Sequence, residues 1–133
     1  LRILTTKPGD YGMTSKGLFY NFKYNTFVGG YTIPESGGWA IHISPYCLGN
    51  QVYFKAYGGH ELIHLYHRYS ASFDNTYSEQ VAYKYTVDVF KSYNYYNDAN
   101  YAISVASSRG LWSSDPGSLV TDRAYIWVMG KIL

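Results

Sequence analysis

Asn50-Gln51-Val52-Tyr53-Phe54-Lys55-Ala56-Tyr57-Gly58-Gly59-His60-Glu61-Leu62-Ile63-His64-Leu65-Tyr66-His67-Arg68-Tyr69 carries a helical signature from end to end. Val52, Ala56, Gly59/His60, Ile63 and His67 recur at three- and four-residue spacing, and Asn50 is a residue type whose side chain caps exposed backbone amides. The spacing predicts a helix from about Gln51 to about Tyr69. Gly58-Gly59 within it costs roughly 1 kcal/mol per glycine relative to alanine, so something there requires a bare backbone, such as a sheet packed closely against it.

Within this helix, His60-Glu61-Leu62-Ile63-His64 is an HExxH motif. Side chains four apart share a helix face, so both imidazoles can reach one ion while Glu61 projects toward a water on that ion. Zinc brings the pKa of such a water to about 7, and a glutamate beside it can take the proton as the water attacks a carbonyl. Catalytic zinc sites take three protein ligands, which leaves one donor to find. His67 lies a further turn along the same rod and is better suited to support than to ligation. Glu79, early in the next helical segment, is the preferred third ligand, because a short connection would return that segment antiparallel and bring its first turns to the metal. Thr76-Tyr77-Ser78-Glu79 is equally a capping box, in which Glu79 would only reach back to the amide of Thr76. Asp74 is the reserve ligand.

Outward from the helix, Gly29-Gly30, Pro34, Gly37-Gly38 and Pro45 punctuate Tyr/Phe/Val/Ile-rich segments that read as short strands, notably Leu18 to Val28 and Trp39 to Ser44. In the latter, Trp39, Ile41 and Ile43 alternate with Ala40, His42 and Ser44, as a sheet with unlike faces requires. Downstream, Ser70 to Tyr77 reads as a loop, Ser78 to Tyr93 as a second helix, Asn100 to Ser107 as a third, Ser113 to Gly117 as a loop and Ala124 to Met129 as a final strand. With no repeat or linker, the expectation is one α+β domain over residues 1–133: a small mixed or antiparallel sheet packed on the HExxH helix and on a second, antiparallel helix.

Composition narrows the function classes. Hydrophobic residues form 47% of the 133 and charged residues 15%, which is a folding composition. A net charge of +2 with scattered Lys and Arg argues against nucleic acid, and no apolar run approaches the roughly 18 residues of a membrane span. Cys47 stands alone, without a disulfide or metal partner of its kind, and reads as a small buried residue. The 17 tyrosines supply amphipathic area for half-buried faces or a polymer-binding cleft.

His60, Glu61 and His64, with Glu79 and Ala82 further on, resemble the zincin metallopeptidases and among them the gluzincins, where a helix bearing HExxH is followed by one bearing a glutamate ligand. The resemblance covers roughly 40 residues. It implies peptide-bond hydrolysis of a peptide or protein substrate, one zinc per chain held by His60, His64 and Glu79, and Glu61 as general base. The strand at Trp39 to Ser44 would pair with extended substrate, with Trp39 and His42 as substrate contacts, and Tyr83, Tyr85 and Arg123 have the chemistry to stabilise an oxyanion. The His60–His67 and Glu79–Tyr83 segments are also similar to metallopeptidase-type effector or toxin domains of large secreted bacterial proteins, which implies secretion as a mature form or as part of a larger chain. The alternatives are a zinc hydrolase of a non-peptide amide and a Tyr-rich binding domain with a structural zinc.

Overall fold

The computed structural model describes residues 2–35, 38–70 and 73–132, and it is a mixed α+β structure. Strands β1 (Arg2–Leu4), β5 (Gly30–Glu35) and β6 (Gly38–Ile43) form one sheet in the order β1-β6-β5. β1 runs parallel to β6, with Ile3 opposite Ile41, and β5 runs antiparallel to it, with Thr32 opposite Ile41 and Gly30 opposite Ile43. Strands β2 (Gly12–Met13), β3 (Phe19–Asn21) and β4 (Thr26–Val28) make a second, antiparallel sheet. The expected strand from Leu18 to Val28 is thus two strands. Asn25, at φ 50°, sits in the left-handed region that Asn tolerates and turns the chain between them.

The helices are α1 (Pro45–Leu48), α2 (Gln51–Arg68), α3 (Asn75–Ser92), α4 (Tyr96–Ser108) and α5 (Arg123–Ile132), with a 3-10 turn at Pro116–Thr121. Asn50 caps α2 as its sequence position suggests: its Oδ1 accepts from the amides of Val52 at 2.8 Å and Tyr53 at 3.2 Å. Asp74 caps α3 by accepting from Tyr77 N at 3.1 Å, so the second helix begins three residues before the predicted Ser78 and Thr76 lies inside its first turn. The predicted loop before it includes residues 71–72, which lie outside the described residues. α4 also starts earlier than expected, at Tyr96.

The expected strand Ala124 to Met129 is instead part of α5. Tyr125, Ile126, Trp127 and Val128 favour strands intrinsically, but tertiary partners decide otherwise. Asp122 Oδ1 accepts from the amides of Ala124 at 2.8 Å and Tyr125 at 3.1 Å, capping the helix, while Ala124, Tyr125 and Val128 go into the core and Ile126 and Trp127 stay exposed. That burial follows the helical period.

α2 buries two faces. Val52, Ala56 and Ile63 meet Val81, Ala82, Tyr85, Val89 and Phe90 of α3, while Tyr57, Leu62 and Leu65 lie against Ile41, Ile43 and Cys47 beneath the first sheet. The α2–α3 contact is antiparallel: Lys55 Nζ donates to Tyr93 OH at 2.8 Å near one end, and His64 lies beside Ser78 near the other. Gly59 is bare because of α3 and not because of the sheet. A Cβ there would stand 2.0 Å from the hydroxyl of Tyr85, which lies across the helix and donates to Lys55 O at 2.7 Å. Among the described residues no helix is long and apolar enough to cross a membrane.

Candidate metal centre

The antiparallel register of α2 and α3 brings His60, His64 and Glu79 together. One ligand atom of each lies within 4.8 Å of the others, an arrangement that could hold a metal ion. Glu79 Oε1 stands 3.5 Å from His60 Nε2 and is also paired with His64 Nε2, while its Oε2 is held by Arg109 Nη1 at 3.1 Å. One carboxylate oxygen therefore faces the imidazoles and the other is tied back, the disposition of a monodentate ligand. Burial works to raise the Glu79 carboxyl, but hydrogen bonds and charge from His60 and His64 outweigh it and hold the group far below the usual carboxylate range. The capping-box alternative finds no place here, since Asp74 does the capping and the Glu79 side chain is turned to the histidines.

Each histidine presents Nε2 to this point because its Nδ1 is engaged behind. His60 Nδ1 is 2.9 Å from Thr86 Oγ1, whose own proton goes to Ala82 O at 3.0 Å, so the threonine accepts and the imidazole donates. His64 Nδ1 is 2.8 Å from Ser78 Oγ. Both rings therefore turn Nε2, the nitrogen left for a metal, toward the shared point. His67 points elsewhere, to Ser78 and Asp122, and is not among the three. Asp74, at the N-terminus of α3, is not either.

Glu61 lies beside the cluster and is almost wholly buried. Thr32 on β5 donates its hydroxyl to Glu61 Oε1 at 2.8 Å. Burial pushes the carboxyl up to about 7, against the charge of His64 and the Thr32 hydrogen bond, which pull it down. Gly30, two residues before Thr32, lets the strand come this close: a Cβ there would be 3.0 Å from Glu61 Cγ and 2.9 Å from His42 O.

The four residues lie at the base of a cleft of about 540 Å³. Its walls come from β5, from the β3–β4 hairpin through Tyr24, from Tyr11, and from α3 and α4 through Tyr83 and Arg109. Arg109 ends α4, where Gly110 at φ 69° and the bond from Leu111 N to Ala106 O at 2.8 Å close the helix. Its guanidinium lies 4.3 Å from the Tyr24 ring centre and donates to Tyr83 OH at 2.7 Å. Burial, then the nearby Glu79 charge, raises the Tyr83 phenol to about 12, so it remains a proton donor at neutral pH.

Two sequence expectations fall outside the cleft. Trp39 and His42 belong to β6, the central strand, which is paired with β5 along its whole length and with β1 across Ala40–His42, so among the described residues it is not the edge a substrate would add to. His42 Nδ1 is directed at Thr6 O, 2.6 Å away, and Trp39 packs under Arg68 with 5.3 Å between guanidinium and ring centre. The strand beside the centre is β5. Of the three oxyanion candidates only Tyr83 lines the cleft; Tyr85 is buried across Gly59, and Arg123 lines a separate hollow near Asp122. Thr32, Arg109, Tyr11, Ser78 and Thr86 were not singled out by the sequence. The Ser-Arg-Gly helix stop at 108–110 was the one local signal, and it locates Arg109 at a helix end without naming its partners.

No protein family, no curated protein and no solved structure matches this chain.

Proposed function

We propose that the protein is a zinc-dependent hydrolase, and specifically a peptidase of gluzincin type. The observation that carries this is the convergence of two imidazole nitrogens and one carboxylate oxygen at the base of a cleft, with a second carboxylate beside them that is not part of the donor group. Two nitrogen donors and one oxygen donor fit zinc, and three protein donors leave a coordination position for the reaction. A structural site, by contrast, would be closed by four.

When bound, zinc supplies Lewis acidity and acidifies a water in its remaining position. The chain's own residues do the rest. Glu61, anchored by Thr32, takes the proton from the attacking water and returns it to the leaving nitrogen. Tyr83 and Arg109, already joined at 2.7 Å, offer O–H and N–H donors to the developing oxyanion, and Arg109 also keeps Glu79 from turning away from the histidines. β5 is the edge of its sheet, and an extended peptide would pair with it where Thr32 brings the strand to Glu61.

The test is incubation of the zinc-loaded protein with a mixture of unfolded proteins, followed by identification of new chain ends by mass spectrometry. The parent is expected to generate them, and Glu61→Gln to bind zinc yet generate none. A parent that takes up no zinc, or a Glu61→Gln variant that cleaves as the parent does, overturns the proposal.

A further inference from the structure

The two histidines of the centre are supported differently. Behind His60 the hydrogen bonding stops after one link, at Thr86 and the backbone oxygen of Ala82. Behind His64 it continues: Nδ1 to Ser78 Oγ at 2.8 Å, Ser78 Oγ to His67 Nδ1 at 2.8 Å, and His67 Nε2 to both oxygens of Asp122 at 3.1 Å. Ser78 is fully buried and His67 nearly so. This path joins α2 to α3, returns to α2, and ends on the residue that caps α5, 58 positions from His64.

With a metal drawing on the lone pair of His64 Nε2 and His67 carrying a single ring proton, one arrangement of protons satisfies every atom along the path. Asp122 accepts five contacts: from His67 on both oxygens, from the amides of Ala124 and Tyr125, and from Tyr77 OH at 2.8 Å. Despite the burial that would raise it, these bonds, led by that of His67, lower the Asp122 carboxyl to about 2 and keep it an acceptor. The proton of His67 must then be on Nε2, which makes Nδ1 an acceptor. Ser78 gives Nδ1 its single proton and so has only lone pairs left for His64. His64 must donate from Nδ1, and its Nε2 keeps the lone pair. We propose that Asp122 is a positioning residue for the metal centre, acting through His67 and Ser78 to hold the tautomer and ring plane of His64.

This rests on the metal assignment above, and its test separates the two. Zinc dissociation constants would be measured by competition with a chromophoric chelator for the parent, Asp122→Asn, Ser78→Ala and the double variant, with far-UV circular dichroism to establish folding. Asn caps a helix about as well as Asp, so Asp122→Asn removes the charge that orders the path while keeping the cap of α5. Each single variant is expected to bind zinc about 10-fold more weakly, at the lower end of what loss of such a partner costs. The double variant is expected to bind no more weakly than the worse single, because a broken path cannot be broken again. If Ser78→Ala does not fold, His67→Gln takes its place, since an amide cannot bridge Ser78 and Asp122 across the width of a ring. Parent-like affinity in Asp122→Asn, or losses that multiply in the double variant, overturns the inference and leaves the metal centre standing. A parent that binds no zinc overturns both.

Discussion

Thr32 Oγ1 lies 2.8 Å from Glu61 Oε1, so the edge strand of the sheet holds the carboxylate that the HExxH helix presents to the cleft. The two residues are 29 positions apart and meet only because Gly30 brings β5 close to α2. Buried this way, Glu61 ionises with difficulty, and its carboxyl is raised from 4.5 to about 7. An acid raised in the folded state contributes stability that is fully present below its unfolded value and lost as the pH rises through the folded one. In metal-free protein, Glu61→Gln should therefore gain on the parent between pH 4.5 and 7, by on the order of 3 kcal/mol above pH 7 relative to their difference at pH 4. Urea unfolding of both proteins across that range, with chelator present, checks the sign. A gap that stays constant with pH would show that Glu61 is not held this way.

Sequence alone leaves Glu79 open between metal ligand and helix cap, with Asp74 as the reserve ligand; in the structure Glu79 faces the histidines and Asp74 caps α3. Glu79→Gln should keep the helical circular dichroism of the metal-free protein and lose zinc affinity by more than 100-fold, as a neutral and poorer donor replaces a carboxylate. Asp74→Ala should cost about 1 kcal/mol in stability through loss of the α3 cap and leave the zinc dissociation constant unchanged. Parallel zinc titrations and unfolding curves separate them; the reverse outcome would move the ligand to Asp74.

Gly59→Ala sets helix propensity against packing. Propensity favours Ala by about 1 kcal/mol, but the new methyl would meet Tyr85 at 2.0 Å from its hydroxyl and 2.4 Å from a ring carbon. Tyr85 is fully buried and cannot swing away without losing its bond to Lys55 O. Overpacking of this kind costs about 1–3 kcal/mol and here adds a lost hydrogen bond, so the net effect should be destabilising, by about 2 kcal/mol. Gly58→Ala, where the nearest atom is Ile43 Cδ1 at 3.9 Å, should be neutral or slightly stabilising. Thermal unfolding of the pair gives the comparison.

Asp122 predicts an acid limb. Its carboxyl is lowered from 3.8 to about 2, so its contribution to stability is present above pH 3.8 and is lost as the pH falls through 2. The stability advantage of the parent over Asp122→Asn should shrink over that interval. Unfolding of both proteins between pH 5 and pH 2 measures it, and an advantage that survives unchanged at pH 2 would contradict the assignment.

The α2 helix, its Asn50 cap and the pairing of His60 with His64 were legible from residue spacing, because a helix repeats every 3.6 residues and its partners are four positions apart. Glu79 was legible as one of two roles. Choosing between them required knowing that α3 begins at Asn75, which depends on Asp74 and not on the Thr-Tyr-Ser-Glu pattern that the sequence displays. The final segment was misread as a strand because propensity is local, whereas its helical state comes from a cap by Asp122 and burial of Ala124, Tyr125 and Val128.

The sequence by itself determined which candidate residues share one helical turn, His60, Glu61 and His64, and it determined the α+β class through the change from strand-like to helix-like periodicity. Tertiary structure alone decided what surrounds them. That β6 is central and β5 is the edge follows from β1 adding in parallel on the far side, a pairing between residues some 38 positions apart that leaves no mark in local pattern. That Thr32 holds Glu61, that Arg109 holds Glu79 and that Asp122 reaches His64 through two intermediaries likewise depend on contacts between separate elements. The physical reason is range: backbone periodicity fixes neighbours within a few residues, while hydrogen bonds between distant side chains exist only once the packing of apolar faces has set the elements against each other.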